Sequence, residues 1–363
     1  MKSSFELSFS ERNTPLISVL IPCYNRPEGL DNALSDFTSQ TYRNIEIVVS
    51  DNCSPQKNEI AAVMAKYAGD PRIRYTRRAE NVGMLRNSLG VLEDARGKYL
   101  TWGSDDDRWD KDYILELFTL LKKNPDASCA FCDYDVINEV GEKRLEYPKA
   151  YPFLKQFDDP DRISRLKKFI LAKEGYSNKS CPIRALIKTD IVRDYFSKMH
   201  DFGLLENWGD MLVVFAFLME GRMVMSPRVL HKFTAGNVKD YFPTPPNPYF
   251  YLEGYLKLMN CRLPAEEVEV LREFVGMKLT QTDCAFGGKE FAGTLQNISS
   301  LMKLPGFEID IHDVENLSHY LEVKDYCAVL RIITRIHRKL TPDLVFQIVA
   351  EQKKNEINER VVA

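Results

Sequence analysis

The chain has 363 residues, of which 44% are hydrophobic and 28% charged, with a formal net charge of −3. That length can bury a sizeable core, as one large domain with an appendage or as two domains, and the near-neutral balance gives no global reason to expect a nucleic-acid partner. No stretch approaches the roughly 20 apolar residues of a membrane span, and the opening MKSSFELSFSERNTPL has no apolar core of signal-peptide length, so the sequence reads as a cytoplasmic protein with an N-terminal extension over 1–14.

From residue 15 onward, strands alternate with helices. ISVLIP (17–22) is an apolar, β-branched run of strand length, and Pro27 stands where a helix can begin, since the first helical turn needs no N–H donor there. Leu30, Leu34 and Phe37, with Ala33, repeat behind it at helical spacing. IEIVVS (45–50) is a second strand; Ile60, Val63, Met64 and Tyr67 mark a helix, and Ile73 to Arg77 a short strand. MLRNSLGVLEDA (84–95) has the helical pattern, KYLTW (98–102) is a strand, Ile114, Leu117, Phe118 and Leu121 lie on one helical face, and ASCAFCDYDV (127–136) is again a strand. RALIKTDIV (184–192) reads as a strand entering a helix, DMLVVFAFLMEG (210–221) as an apolar helix, and RMVMS (222–226) as a short strand. The proline-rich PTPPNP (243–248) is the best boundary, dividing a domain over 15–240 from a helical region over 249–363. Such β-α-β alternation implies a largely parallel sheet covered by helices, with ligands bound beyond the carboxyl ends of its strands.

The eight cysteines are scattered, which is no disulfide framework in a chain this long. Cys129 and Cys132 form a lone CxxC inside an apolar strand, with no second pair or histidine nearby, so buried thiols are expected.

Three places carry chemistry. In GKYLTWGSDDDRW an apolar strand runs into Asp105, Asp106 and Asp107. Like charges this close repel, and Mg²⁺ or Mn²⁺, which prefers carboxylate and phosphate oxygen, relieves the repulsion; a solvated acidic turn capping the next helix is the alternative. Earlier strands end at Tyr24–Asn25 and at Asp51, where a carboxylate can accept from a nucleobase or ribose, although Asn and Asp are also ordinary turn residues. Glu206 and Asp210 precede the apolar helix at 210–221, where Asp210 can equally act as a helix cap.

The ordered segments PLISVLIPCYNRPEGL, NIEIVVSDNCS and NVGMLRNSLGVLEDARGKYLTWGSDDD resemble a family-2 glycosyltransferase with the GT-A fold, over about residues 15–235. The resemblance implies an α/β fold with a Rossmann-like mixed sheet flanked by helices, and inverting transfer of a sugar from a nucleotide-diphosphate sugar to an acceptor hydroxyl, in bacterial surface glycan assembly. It places Pro22, Tyr24, Asn25, Asp51, Asn81, Gly83, Arg86 and Asn87 at the nucleotide, with Arg86 offering a planar fork to the diphosphate. The acidic run matches the family's Asp-x-Asp motif with a departure: alignment on Tyr99 and Trp109 puts the usual first aspartate at Ser104. Asp106 is then favoured as the direct ligand of Mn²⁺ or Mg²⁺ and Asp105 as its nucleotide-side partner, while an Asp105-x-Asp107 register stays open. The resemblance places the general base at Asp210, with Gly209 where the family has Glu and Glu206 as the second candidate. It sets His231 at the metal or diphosphate, Asp133 and Asp135 near a glycan or lipid-linked glycan acceptor, and the Lys179–Arg184 loop over the donor sugar. YCAVLRIITRIHRKL (326–340) is a basic amphipathic segment that can lie on the inner face of an anionic membrane, or pack on its own domain. A pyrophosphorylase would need a glycine-rich basic loop where CYNRPEGLDN stands; a non-catalytic nucleotide-sugar-binding module or assembly subunit is the other alternative.

Overall fold

A computed structural model describes residues 14–138, 141–144, 149–172, 177–202, 204, 209–234 and 248–280, together with 319, 320, 328 and 332. These fall into two compact units, one of the residues up to Leu166 with Ser177–Val238, the other of Lys167–Tyr176 with the residues from Lys239.

The first unit is built on an eight-stranded sheet in the order β3-β2-β1-β4-β7-β6-β8-β5. Its strands are β1 (Ile17–Cys23), β2 (Ile45–Asp51), β3 (Ile73–Arg77), β4 (Tyr99–Trp102), β5 (Arg108–Trp109), β6 (Ala127–Ile137), β7 (Leu186–Lys188) and β8 (Arg222–Thr234). β1 to β4 pair in parallel. Every residue of β2 is buried, as is all of β1 except half-buried Pro22, which is why these strands read as continuous apolar runs and not as alternating ones. The expected parallel character is interrupted after β4 and resumes where β6 pairs with β8. The short β7 runs antiparallel to both β4 and β6, and β5 antiparallel to β8, so the sheet is mixed.

The helices follow the apolar spacing. They are α1 (Pro27–Thr38), α2 (Lys57–Lys66), α3 (Met84–Glu93), α4 (Tyr113–Lys123), α5 (Tyr151–Leu154), α6 (Arg162–Leu171), α7 (Ser177–Ser180), α8 (Thr189–Asp201) and α9 (Asp210–Glu220). Pro27 opens α1, which buries Leu30, Ala33, Leu34 and Phe37. α9 is buried from Met211 to Met219, so its sequence is apolar all round.

β8 is much longer than the strand expected at 222–226. Ser226 pairs with Cys132, but the next partner of β6, Asp133, pairs with Val229, leaving Pro227 and Arg228 in a bulge. Proline cannot donate to the ladder, so the strand bulges there and then continues to Thr234. Cys129 and Cys132 both lie buried in β6 as free thiols, and their spacing of three puts them on opposite faces of the strand.

The second unit contains α10 (Pro248–Arg262) and α11 (Ala265–Thr280). Lys278 is buried, and its ammonium donates to the carbonyls of Leu171 and Ala172 at 3.3 and 3.0 Å, closing the end of α6. Among the described residues no helix is long and apolar enough to cross a membrane. The proline-rich break lies outside them except for Pro248, as does the basic segment 326–340 except for Ala328 and Ile332.

One glycine fixes how α1 meets the acidic loop. A Cβ on Gly29 would stand 1.8 Å from the backbone oxygen of Asp105. Gly29→Ala is therefore expected to shift that loop and lower unfolding free energy by about 1–3 kcal/mol in urea titration. Gly69→Ala, where nothing lies within 4 Å, serves as the control and is expected to change stability far less.

Candidate active site

β1 and β4 are neighbours, and Leu20 is in register with Trp102, so the turn after one and the loop after the other emerge side by side. Gly103 continues the contact by donating to Leu20 O at 2.7 Å. On the other side β5 returns the loop to the sheet, pairing Trp109 with His231. The Asp36 carboxylate of α1 clamps this exit, accepting from Arg108 Nε and the Trp109 amide at 2.8 and 2.9 Å.

Between these anchors the three aspartates part company. Asp105 accepts from the Tyr24 amide at 3.4 Å through Oδ2 and from Arg26 at 3.1 Å through Oδ1. Asp106 accepts from Ser104 Oγ through Oδ1 and from the same Arg26 nitrogen at 2.9 Å through Oδ2. Each carboxylate thus spends one oxygen locally and turns the other toward one guanidinium. Burial, reinforced by the charge of Asp106, pushes the Asp105 carboxyl up to about 7, with Arg26 opposing.

Asp107 belongs to a different cluster. Its Oδ2 lies 2.6 Å from Arg184 Nε and 3.1 Å from His231 Nε2, and its Oδ1 accepts from the Thr234 amide at 2.8 Å. Burial alone would raise this carboxyl, but Arg184 and then His231 outweigh it and hold it down at about 2. His231 is lowered in turn, by burial before all else, and its ring stacks on Trp109 with centroids 4.4 Å apart. Asp107 and His231, expected at the cation, pair with each other, and Asp107 also pairs with Arg184. Among the described residues no group of three His, Cys, Asp or Glu side chains forms a cage of its own.

Arg184 is fixed at both ends. Its carbonyl accepts from Thr101 Oγ1 at 2.6 Å and Tyr113 OH at 2.7 Å, and its guanidinium lies over the Phe233 ring at 5.2 Å. The loop expected over the donor sugar therefore ends in a cation only 15% exposed and paired with Asp107, and Lys179 is buried. Arg184 also exerts its charge on Asp210. Asp210 is the first residue of α9, and its carboxylate accepts from its own backbone amide. It is reached by water, yet enough protein surrounds it that desolvation raises its carboxyl above the ordinary carboxylate range, with Arg184 opposing. Glu206 lies outside the described residues.

The residues expected at the nucleotide also divide. Tyr24 is 43% exposed, and Asn25, with φ +58°, turns the chain between β1 and α1 while its amide donates to Ser54 Oγ at 2.8 Å. Asp51 is fully buried and already satisfied: Ser54 donates to Oδ1 from its amide and hydroxyl, and Tyr75 OH (3.1 Å) and Arg77 donate to Oδ2. Burial pushes this carboxyl up, and those hydrogen bonds more than offset it. Its oxygens are spoken for, so Tyr75 and Arg77 present themselves there instead. Asn87, also expected at the nucleotide, faces the sheet. It is buried and brackets α3 to β2, accepting from Ser50 Oγ at 2.6 Å and donating to Ser50 O at 2.9 Å. Asn81, Gly83 and Arg86 remain exposed. Asn81 Oδ1 accepts from Asn52 and from the Gly83 amide, and Gly83, with φ +84°, opens α3. Among the described residues Arg86 has no hydrogen-bond or ion-pair partner.

Asp133, expected at the acceptor, instead receives the amides of Tyr134, Ala150 and Tyr151 on Oδ1, each at 3.1 Å, holding the start of α5. Asp135 pairs with Lys143 at 2.5 Å. Sequence reasoning missed Arg26, Tyr75 and Arg77. Arg26 adjoins two expected site residues, but no spacing in the chain announces that it meets carboxylates some 80 positions later.

Comparisons with known proteins agree with this architecture. Residues 18–185 match the profile of Glycosyl transferase family 2. WcaA of Escherichia coli K12, whose name assigns it to colanic acid biosynthesis, is 34% identical over 100 residues, 27% of this chain and 35% of that protein. TuaG of Bacillus subtilis 168, named for teichuronic acid biosynthesis, is 30% identical over 118 residues, 32% of this chain and 45% of that protein. The match thus spans less than half the length of these relatives, and only 15% of a Sinorhizobium fredii protein that is 35% identical over 134 residues. Among solved structures, S. aureus TarS 1-349 in complex with UDP-GlcNAc superposes with a TM-score of 0.55 at 16% identity, over 90% of this chain and 93% of that one.

The Asp107–Arg184 pair provides a stability test. Asp107→Asn leaves a guanidinium that is only 15% exposed uncompensated and is expected to cost about 3 kcal/mol in chemical denaturation near neutral pH. Because the folded carboxyl is held at about 2, its contribution is full above the ordinary carboxylate value and disappears as pH falls through the folded one. The gap between wild type and Asp107→Asn should therefore close in acid. Residues 18–185 thus match Glycosyl transferase family 2, and the mixed α/β sheet flanked by helices is a GT-A-like fold.

Proposed function

We propose that the protein is an inverting glycosyltransferase that takes a sugar from a nucleotide-diphosphate sugar and passes it to an acceptor hydroxyl in bacterial surface glycan assembly. The observation that carries this reading is the pairing of Asp105 and Asp106, each with one oxygen turned to a single point beyond the β4 strand end, in the same charged field as Asp210. The names of WcaA and TuaG support the surface-glycan setting.

The two carboxylates fit a divalent cation. Mg²⁺ and Mn²⁺ take hard oxygen donors, commonly one or two carboxylates completed by substrate phosphates and water. The raised Asp105 carboxyl marks a site short of positive charge. Such a cation, when bound, would neutralise the charge that develops on the leaving diphosphate. Asp107 and His231 serve this site at one remove, by fixing the loop. Tyr24 and Asn25 offer the base an exposed ring and a turn, and Arg86 offers the diphosphate a guanidinium that has no partner among the described residues.

Asp210 takes the acceptor proton. A carboxyl raised by desolvation is a stronger base than one in water, and its place at the mouth of α9 leaves it accessible. In-line attack from the side opposite the leaving diphosphate inverts the anomeric carbon and requires no covalent sugar–enzyme intermediate. Holding donor and acceptor in register accounts for much of the rate.

The first test is a donor screen by thermal shift with and without Mn²⁺, UDP-GlcNAc among the arms, followed by release of nucleotide diphosphate. A true donor raises the melting temperature by mass action. Asp210→Asn is expected to keep that shift and to lose turnover by about 100-fold or more. Asp106→Ala is expected to fold and to lose the Mn²⁺-dependent part of the shift. Donor binding without nucleotide release under any condition would leave a binding module in place of an enzyme.

A further inference from the structure

Arg26 occupies the point on which both carboxylates converge. Its Nη1 is 3.1 Å from Asp105 Oδ1 and 2.9 Å from Asp106 Oδ2. We infer that Arg26 is an exchangeable internal cation: in the donor-free protein it holds the place between Asp105 and Asp106, and a divalent cation binds there only by displacing it. This rests on the cation reading above.

Geometry makes the two occupants exclusive. Mg²⁺ or Mn²⁺ sits about 2.0–2.2 Å from carboxylate oxygen, which is the gap that the Nη1 hydrogens fill. The remaining oxygens offer no second seat, since Asp105 Oδ2 accepts from Tyr24 and Asp106 Oδ1 from Ser104. Two positive groups competing for two oxygens also repel each other.

The surroundings allow the side chain to leave. Arg26 is one-third exposed, so its guanidinium borders solvent. Asn25 before it is in the left-handed region, and Pro27 after it begins α1. Displacement can therefore be taken up in the side chain and the Asn25 turn while the helix stays where it is. Arg184, by contrast, has a side chain only 15% exposed and lying over the Phe233 ring, so it cannot make the same exchange.

The consequence is an order of binding. A cation alone must break two charge-assisted hydrogen bonds to enter. A diphosphate brings further oxygen ligands for the cation and a new anionic partner for the released guanidinium. Cation affinity is therefore low without donor and rises with it, so the cation site is assembled in the presence of donor.

The experiment is calorimetric titration of Mn²⁺ alone into the full chain, as wild type, Arg26→Gln, Arg26→Lys and Asp106→Ala. Arg26→Gln is expected to bind Mn²⁺ about tenfold more tightly than wild type, through loss of the competing charge, Arg26→Lys to stay within about twofold because that charge is kept, and Asp106→Ala to bind none. If wild type binds Mn²⁺ and Arg26→Gln binds it no better, the exchange is wrong and the cation reading stands. If no variant binds Mn²⁺ at millimolar concentration, with or without nucleotide diphosphate, the cation reading fails and the exchange with it. Should Arg26→Gln not fold, a Mg²⁺ titration of wild type followed on arginine side-chain NMR signals reads the same event. The Arg26 signal, identified by its loss in Arg26→Lys, must move as Mg²⁺ binds; a signal that stays in place overturns the proposal.

Discussion

Like charges a few ångströms apart in a poorly solvated loop repel, and the fold must supply countercharge from outside the loop. Here the loop holds three successive carboxylates, two of them more than 90% buried, and the countercharge comes from opposite directions. Arg26, at the start of α1, meets Asp105 and Asp106; Arg184, at the entrance to β7, meets Asp107. The architecture around the site follows from bringing those two cations to one strand end. Parallel pairing of β1 with β4 delivers the first, and the antiparallel insertion of β7 beside β4 delivers the second.

That division also separates fastening from chemistry. Asp107, His231, Thr234 and the clasped carbonyl of Arg184 tie the loop to the sheet, and a depressed carboxyl suits that duty. Asp105 and Asp210 lie at the other extreme, raised by desolvation and short of compensating charge, as groups that exchange protons or receive a cation commonly are.

Much of the frame was legible in the chain. The apolar runs of β1 and β2, the proline opening α1, and the acidic run after β4 each carry a local signal, because each is set by burial or by a turn within a few residues. What could not be read is which polar residues of the motifs stay free. Asn87 and Asp133 look like ligands in sequence and are spent on backbone groups of β2 and α5. Asp51 is spent on Tyr75 and Arg77, a pairing set by the β2–β3 register. The extension of β8 past Pro227 was hidden because proline punctuates a strand in sequence, whereas a bulge lets the ladder resume and carry His231 to Asp107.

The double grip on Arg184 has a mechanical meaning. A residue tethered at its carbonyl by Thr101 and Tyr113 and at its tip by Asp107 behaves as a rivet. The acidic loop is therefore pinned at its 107 end and sprung at its 105 end, where its only cationic tie is a partly solvated side chain among the described residues. The span from Asp107 to β8 is thus set by several bonds at once, whereas the charge of Asp105 and Asp106 is tied to α1 through a single guanidinium.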